Sequence, residues 1–311
     1  MPEPDFIRET LQDLRARGLE RRLVALGSAA GPRVTVRGRE LLQFASNNYL
    51  GLANDPRVKE ALARGIERWG WGAGASRLLA GHTEAHEALE ADLADFMGTE
   101  AALVFPTGYQ TNLGVIGALV GRGDLVLADR ENHASIYDAV KLSGARLVRY
   151  AHADAADAAK KLGTGTNFPP LKNDANRRKQ KKLVPVPNFS GRALLATDTV
   201  FSMDGRLAPL RDLSDLAERV GAMLVLDEAH ALGVLGPGGA GLAKMTPGVI
   251  LTASVGTLSK ALGGVGGFVA ASRAVSDLIV NRGRSFIYTT ALPAAACEAA
   301  RAALRIVREE P

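Results

Sequence analysis

Cysteine is nearly missing from this sequence. Cys297 is the single one in 311 residues, so no disulfide can form within the chain, and such usage fits a reducing compartment. Long apolar runs are missing too. No stretch is both long enough and uncharged enough to span a bilayer, and the start, MPEPDFIRETLQDLRARGLERRL, is charged and helical in pattern, without the apolar centre of a signal peptide. The expected location is cytoplasmic. A general excess of one charge is also absent. The net charge of +5 is matched by the five basic residues of RRKQKK at 177–182, so a basic nucleic-acid-binding face is not indicated. No GxxxxGK[ST] occurs, which leaves a P-loop nucleotide site unsupported.

What remains is an ordinary globular balance of 47% apolar and 23% charged residues, in a chain long enough to bury a substantial core. The helical start is read as ending near Gly27, and a short polar hairpin-like stretch, RVTVRGRELLQF, follows it. From residue 55 onward, helices alternate with short apolar runs. PRVKEALARGIERWG and TEAHEALEADLADFMG carry apolar residues at helical spacing, and the second opens on a threonine followed by acids, as a capped helix does. The apolar runs are AALVF (101–105), DLVLAD (124–129), ARLVRY (145–150), ALLATDTVF (193–201), MLVLDE (223–228), VILTASVG (249–256) and GGFVAAS (266–272). Short runs rich in Val and Leu, most of them separated by helices, predict a mostly parallel seven-stranded sheet buried on both faces. The expected fold is doubly wound α/β without internal repeats. Its expected organisation is an N-terminal helix and arm over 1–45, a large α/β domain over 46–290 and the start of a further domain over 291–311. Residues 163–191, basic and rich in Gly and Pro, break the rhythm and read as a solvated insertion loop or an interaction segment.

Ligands of such sheets bind beyond the carboxyl ends of the strands, so polar residues there are the candidates. After AALVF, PTGYQTN leads into an apolar helix whose first amides, at Gly108 and Tyr109, form a ready anion site, although a plain strand-to-helix turn reads the same. After DLVLAD, His133 stands at or just before a helix start with Ser135 nearby, where a lone histidine also serves as a cap. MLVLDE ends in Asp227 and Glu228, with His230 close behind. A buried carboxylate there calls for a cationic partner, such as a protonated heterocyclic nitrogen. Asp227 and His230 have no convincing further ligand nearby in sequence, so no metal is expected. GPGGAG (236–241) matches the dinucleotide pattern GxGxxG, but it comes late, contains Pro237 and reads as a turn.

The last candidate is TLSKALGGVGGF (257–268), where Lys260 follows Thr257 and Ser259 and precedes Gly263, Gly264, Gly266 and Gly267. In a low-dielectric site a lysine has its pKa lowered and becomes a usable nucleophile. The hydroxyls suit an anion, and the glycines permit a sharp turn or close backbone approach. Alone, a lysine in such a place is more often structural or a surface charge, and a phosphate-binding cation is the other reading. Taken together, a strand-end aspartate, a histidine three residues on and a lysine after the following strand are the parts that pyridoxal phosphate requires.

Six ordered stretches, FASNNYLGL, GAGASRLLAGHTEAHEALE, DRENHASI, FSMDG, DEAHALGVLG and TLSKALGGVGG, resemble those of the α-oxoamine synthases, pyridoxal-phosphate enzymes of fold type I. The resemblance runs from near residue 10 to the C-terminus, interrupted only by 163–191. Within the family, GAGASRLLAGH with SFIYTTALP is most similar to the 8-amino-7-oxononanoate synthases. The resemblance implies that Lys260 forms the internal aldimine, Asp227 pairs with the pyridine nitrogen, His230 hydrogen-bonds the phenolic oxygen and His133 stacks on the ring. It further implies Ser202 near that oxygen, the backbone of Gly108 and Tyr109 with the Thr257 hydroxyl around the phosphate, and Arg21, Asn47 and His133 in substrate contacts.

The reaction implied is the decarboxylative condensation of L-alanine with pimeloyl-CoA or a pimeloyl carrier protein, in biotin biosynthesis, by a homodimer. The alternatives are a 2-amino-3-ketobutyrate CoA ligase, which uses glycine and acetyl-CoA, and an inactive remnant that acts only as a dimerisation partner. No nucleic-acid or membrane partner is expected. The family continues into a C-terminal domain that closes over the site and supplies an arginine for the amino acid's carboxylate. Because the sequence stops at RIVREEP, truncation of that domain is expected, with weak or no turnover.

Overall fold

A computed structural model describes residues 4–162 and 191–310, in two compact units that divide between Ser46 and Asn47. The segment read as an insertion at 163–191 lies, Gly191 apart, outside the described residues. The first unit holds α1 (Asp5–Ala16) and an antiparallel ribbon of β1 (Arg33–Val36) and β2 (Arg39–Leu42). The helix does not reach Gly27 as expected. It ends where Gly18 turns left-handed at φ +66°, and the Leu19 N–H closes back on the Leu14 carbonyl at 2.8 Å. A glycine in that conformation caps a helix, whatever the charge pattern beyond it. The ribbon turns through Arg37 and Gly38, both at positive φ, the geometry that matches the twist of a two-residue hairpin.

In the second unit all seven apolar runs form strands: β3 (Ala101–Phe105), β4 (Leu125–Asp129), β5 (Arg146–Tyr150), β6 (Ala193–Asp198), β7 (Met223–Asp227), β8 (Ala253–Thr257) and β9 (Gly267–Ala271). They lie side by side in the order β3-β9-β8-β7-β6-β4-β5. Only β9 runs against its neighbours; every other pairing within the sheet is parallel. The carboxyl ends of six strands and the start of β9 therefore meet along one side, and that side carries the site described below.

Every residue of β3, β4, β8 and β9 is buried. Continuous apolar strands of this kind are stable when helices cover both faces. The helices are α2 (Pro56–Trp69), α3 (Glu84–Met97), α4 (Gly108–Leu119), α5 (Ala134–Ser143), α6 (Ala155–Lys161), α7 (Leu210–Val220), α8 (Leu242–Met245), α9 (Arg273–Arg282), α10 (Arg284–Ile287) and α11 (Ala294–Glu309). One face packs α4, α5, α9 and α10 over Leu103, Phe105, Val126 and Val255. The other packs α2, α3 and α11 over Val104 and Phe268, and α6, α7 and α8 over Leu127, Leu195 and Leu226. Alternate residues of β3 thus enter opposite cores, as the two-residue strand period requires. Each fully buried Leu or Phe contributes about 1.5–3 kcal/mol.

Local signals start and stop these helices. Asp55 caps α2 by accepting the Arg57 N–H, and Pro56 occupies the first helical position. At α3 the reciprocal cap is made by His86, whose Nδ1 accepts the Thr83 N–H at 3.3 Å and pairs with its hydroxyl at 2.9 Å. His86 Nε2–H then donates to the Leu292 carbonyl at 2.8 Å, tying α3 to the entry of α11. No helix among the described residues is long and apolar enough to cross a membrane.

Candidate active site

Three strand ends, of β6, β7 and β8, and the amino ends of α4 and α5 enclose a cavity of about 220 Å³. One wall is built for an anion. Thr107 caps α4: its hydroxyl accepts the Gln110 N–H at 3.1 Å and its carbonyl accepts the Thr111 N–H at 3.0 Å. The amides of Gly108 and Tyr109, which a first helical turn leaves without intrahelical acceptors, have no partner among the described residues. Thr257 stands beside them at the end of β8, its hydroxyl donating to the Gly266 carbonyl at 3.0 Å and lying 2.8 Å from Ser259 Oγ. Close approach makes this wall possible. A Cβ added at Gly267 would sit 2.6 Å from the Gly108 nitrogen and 2.5 Å from Thr111 Oγ1.

The opposite wall is carboxylate, imidazole and amine. Asp227, at the end of β7, accepts the Asn112 amide N–H at 2.7 Å on one oxygen and the Ala229 N–H at 2.9 Å on the other. His230 Nε2 lies 3.0 Å from Lys260 Nζ, and His230 Nδ1 lies 2.7 Å from the Tyr49 hydroxyl. The Tyr49 hydroxyl donates onward to Asn47 Oδ1 at 3.1 Å, so it accepts from His230 Nδ1–H, and Nε2 is left to accept from the amine. Burial, helped by the neighbouring Lys260 charge, brings His230 down to about 4, so the ring is neutral at physiological pH. Burial also lowers the Lys260 pKa, against the opposing pull of Asp227 and Asp198.

His133 lines the same cavity as the N-cap of α5. Its backbone N–H donates to Asp198 Oδ2 at 3.0 Å, and its Nδ1 lies 2.7 Å from Ser135 Oγ. Asp198 is buried at the end of β6, and its pKa is raised by desolvation and by the nearby Asp227 charge.

Gly108, Tyr109, His133, Asp227, His230, Thr257 and Lys260 are therefore brought together around one cavity. Glu228 is turned away from it: the carboxylate accepts from the Thr199 hydroxyl at 2.7 Å and from the amides of Leu242 and Ala243. Ser202 is not on the wall, because β6 ends at Asp198 and a turn closed by Phe201 and Arg206 leaves it exposed. Asn47 reaches the site only through Tyr49. Arg21 lies in the first unit, on the exposed stretch after α1. GPGGAG is a turn, with left-handed glycines at 236, 238, 239 and 241.

Sequence reasoning did not single out Asn112, Asp198 or Tyr49. Two of them had a signal. Asn112 falls one helical turn after Gly108, on the same side of α4, and Asp198 ends an apolar run at the carboxyl edge.

Comparison with known proteins agrees with this geometry. Residues 39–310 match the family described as aminotransferase class I and II. The chain is 50% identical over 309 residues to an 8-amino-7-oxononanoate synthase of Anaeromyxobacter sp. (strain K), covering 99% of this chain and 72% of that protein. It is 49% identical over 298 residues to the synthase of Geobacter sulfurreducens, covering 96% and 71%. Among solved structures it is similar to serine palmitoyltransferase from S. paucimobilis with a bound PLP–myriocin aldimine, at 31% identity and a TM-score of 0.83, over 98% of this chain and 73% of that one. The 8-amino-7-oxononanoate synthase of Francisella tularensis superposes with a TM-score of 0.68 at 28% identity, over 86% and 69%.

Proposed function

The chain belongs to the aminotransferase class I and II family, and from that premise we propose that it condenses L-alanine with a pimeloyl thioester, carried on CoA or a carrier protein. The products are 8-amino-7-oxononanoate, carbon dioxide and the free thiol carrier, in biotin biosynthesis. Pyridoxal 5'-phosphate is the cofactor, and the enzyme acts as a cytoplasmic homodimer. The observation that carries this reading is the meeting, in one cavity, of a half-buried amine at Lys260, a carboxylate at Asp227 and the open amides that begin α4.

The donor set fits the cofactor. Gly108 and Tyr109 amides would hold its phosphate, joined by the Thr257 hydroxyl once its hydrogen turns from the Gly266 carbonyl, with Asp227 at its ring nitrogen, His230 at its phenolic oxygen, Lys260 at its aldehyde carbon and His133 against the ring. When bound, pyridoxal phosphate supplies a carbon that combines with amines and an electron-poor ring that takes up electrons released at the amino acid's α-carbon. The Asp227 carboxylate would hold a proton at the ring nitrogen. Lys260 Nζ, whose pKa burial lowers, would take the proton from the amino acid's α-carbon and return one to the product carbon. His230 Nε2 accepts a hydrogen bond from that amine and keeps it aimed between turnovers. The glycine and acetyl-CoA alternative gains no support from the relatives at 50% identity.

The test is a side-by-side assay of the purified chain with pyridoxal phosphate, following thiol release and product mass. Alanine with pimeloyl-CoA should give 8-amino-7-oxononanoate, and Lys260→Ala should abolish both the product and the protein's visible absorbance. Product from glycine and acetyl-CoA alone would overturn the substrate assignment. A visible band without product from either pair would favour the remnant.

A further inference from the structure

We propose that Asn112 and Ser135 are positioning residues that fix the His133 tautomer, with Nδ1 an acceptor and the ring proton on Nε2, presented to the cavity as a hydrogen-bond donor. The proposal deepens the functional reading above and rests on it only for what that donor meets. Its geometry starts at Asp227, which accepts at both carboxylate oxygens. An acceptor on both sides requires that Asn112 turn its amide nitrogen, not its oxygen, toward the carboxylate. The same nitrogen lies 2.9 Å from Ser135 Oγ and gives its second hydrogen there.

Ser135 Oγ has then accepted a hydrogen bond and still has its own hydrogen to give. His133 Nδ1 is the acceptor within reach, at 2.7 Å. The Ser135 backbone N–H converges on the same Nδ1, at 3.3 Å. Two donors directed at one ring nitrogen leave no room for a proton on it, so the imidazole proton sits on Nε2. The backbone of His133 is fixed independently by Asp198. Asn112 and Ser135 line the same cavity but are buried, whereas His133 is exposed, so the ring is the member of the three most open to solvent.

A cost marks the arrangement. With its nitrogen turned to Asp227 and Ser135, Asn112 leaves Oδ1 buried without a partner among the described residues. An unpaired buried oxygen is unfavourable, and here it accompanies two donations that run from the carboxylate to the imidazole. Asp227 and His133 are thereby joined through Asn112 and Ser135 into one hydrogen-bonded chain.

The experiment is a long-range ¹H–¹⁵N spectrum of the full chain without cofactor, with His133 identified by the resonance lost in His133→Gln. We expect the pattern of a ring protonated on Nε2. Ser135→Ala should move the Nδ1 resonance toward a mixture of tautomers, and Ser135→Thr, which keeps the hydroxyl, should restore it. A proton on Nδ1 in the unsubstituted chain overturns the proposal, and so does a Ser135→Ala spectrum unchanged at His133. The first outcome is decisive even if a variant does not fold. No cofactor or substrate is in the sample, so failure of the functional reading and failure of this proposal are separately visible.

Discussion

Arg77 and Glu90 form a buried ion pair that takes up both backbone groups of Val104. The guanidinium donates to the Val104 carbonyl at 3.2 Å and to Glu90 at 2.9 Å, and the same Glu90 oxygen accepts the Val104 N–H at 2.8 Å. β3 is an outer strand of the sheet, paired only with β9, so its far side would otherwise present bare polar groups to the core. The pair does for Val104 what a further strand would do, a short step before the α4 turn that faces the cavity.

Removing either partner should therefore be costly. Arg77→Ala or Glu90→Ala is expected to lower the unfolding free energy by about 3–5 kcal/mol, because the remaining charge is left buried. The double substitution Arg77→Met, Glu90→Leu should lose less than the two single changes summed. Urea unfolding of the four chains measures this, and strictly additive losses would contradict the pairing.

His86 predicts a direction with pH. Burial, with the Arg77 charge behind it, brings its folded pKa down to about 4 from 6.5. The folded state then binds fewer protons than the unfolded state between those values. Stability from this residue is complete above 6.5 and is lost as the pH falls toward 4, by up to about 1.4 kcal/mol per pH unit. His86→Gln should be less stable near neutrality but show a slope shallower by one proton when unfolding is measured at a series of pH values. Parallel slopes would remove His86 from the account.

Lys260 should react before the surface lysines. Brief treatment near neutral pH with formaldehyde and cyanoborohydride, followed by peptide mass mapping, is expected to methylate Lys260 early, since burial raises its neutral fraction. The Asp227 charge works in the other direction. Asp227→Asn should therefore move the onset of Lys260 methylation to lower pH. An onset moved upward would contradict the electrostatic assignment.

Gly267→Ala should spoil the anion wall. The added Cβ would overlap the Gly108 backbone and Thr111, and overpacking of this kind costs about 1–3 kcal/mol. Weakened pyridoxal phosphate binding, read by absorbance titration, should accompany the loss. Gly117→Ala is the control: it has open space around it on α4, and alanine in a helix interior gains about 0.5–1 kcal/mol over glycine. Equal effects at the two positions would refute the close approach.

The sheet was legible because burial on both faces makes each strand a continuous apolar run, and MLVLDE or AALVF has no competing helical period. The strand-end rule then led to Asp227, His133 and Lys260. It did not lead to Asn112 or Tyr49, whose roles depend on which atoms face each other after folding. Asn112 looks like any polar residue on an apolar helix until Asp227, 115 positions away, arrives against it. The end of α1 is hidden in the sequence for a different reason: a charged helical pattern runs past Gly18, and a left-handed glycine overrules pattern. The motif FSMDG implies Ser202 at the site, whereas the turn after β6 leaves it exposed to solvent.

The β8–β9 connection decides how Lys260 can move. Leu258 N–H bonds to the Gly266 carbonyl, Gly264 N–H to the Leu258 carbonyl and Gly263 N–H to the carbonyl of Lys260 itself. Gly263, at φ +66°, sits so close to Ala53 that a Cβ would come within 2.2 Å of its backbone nitrogen. A loop pinned at so many points does not swing. Whatever exchange of partners the amine undergoes is carried by rotation about its own four side-chain bonds, on the clock of rotamers rather than that of lids and hinges.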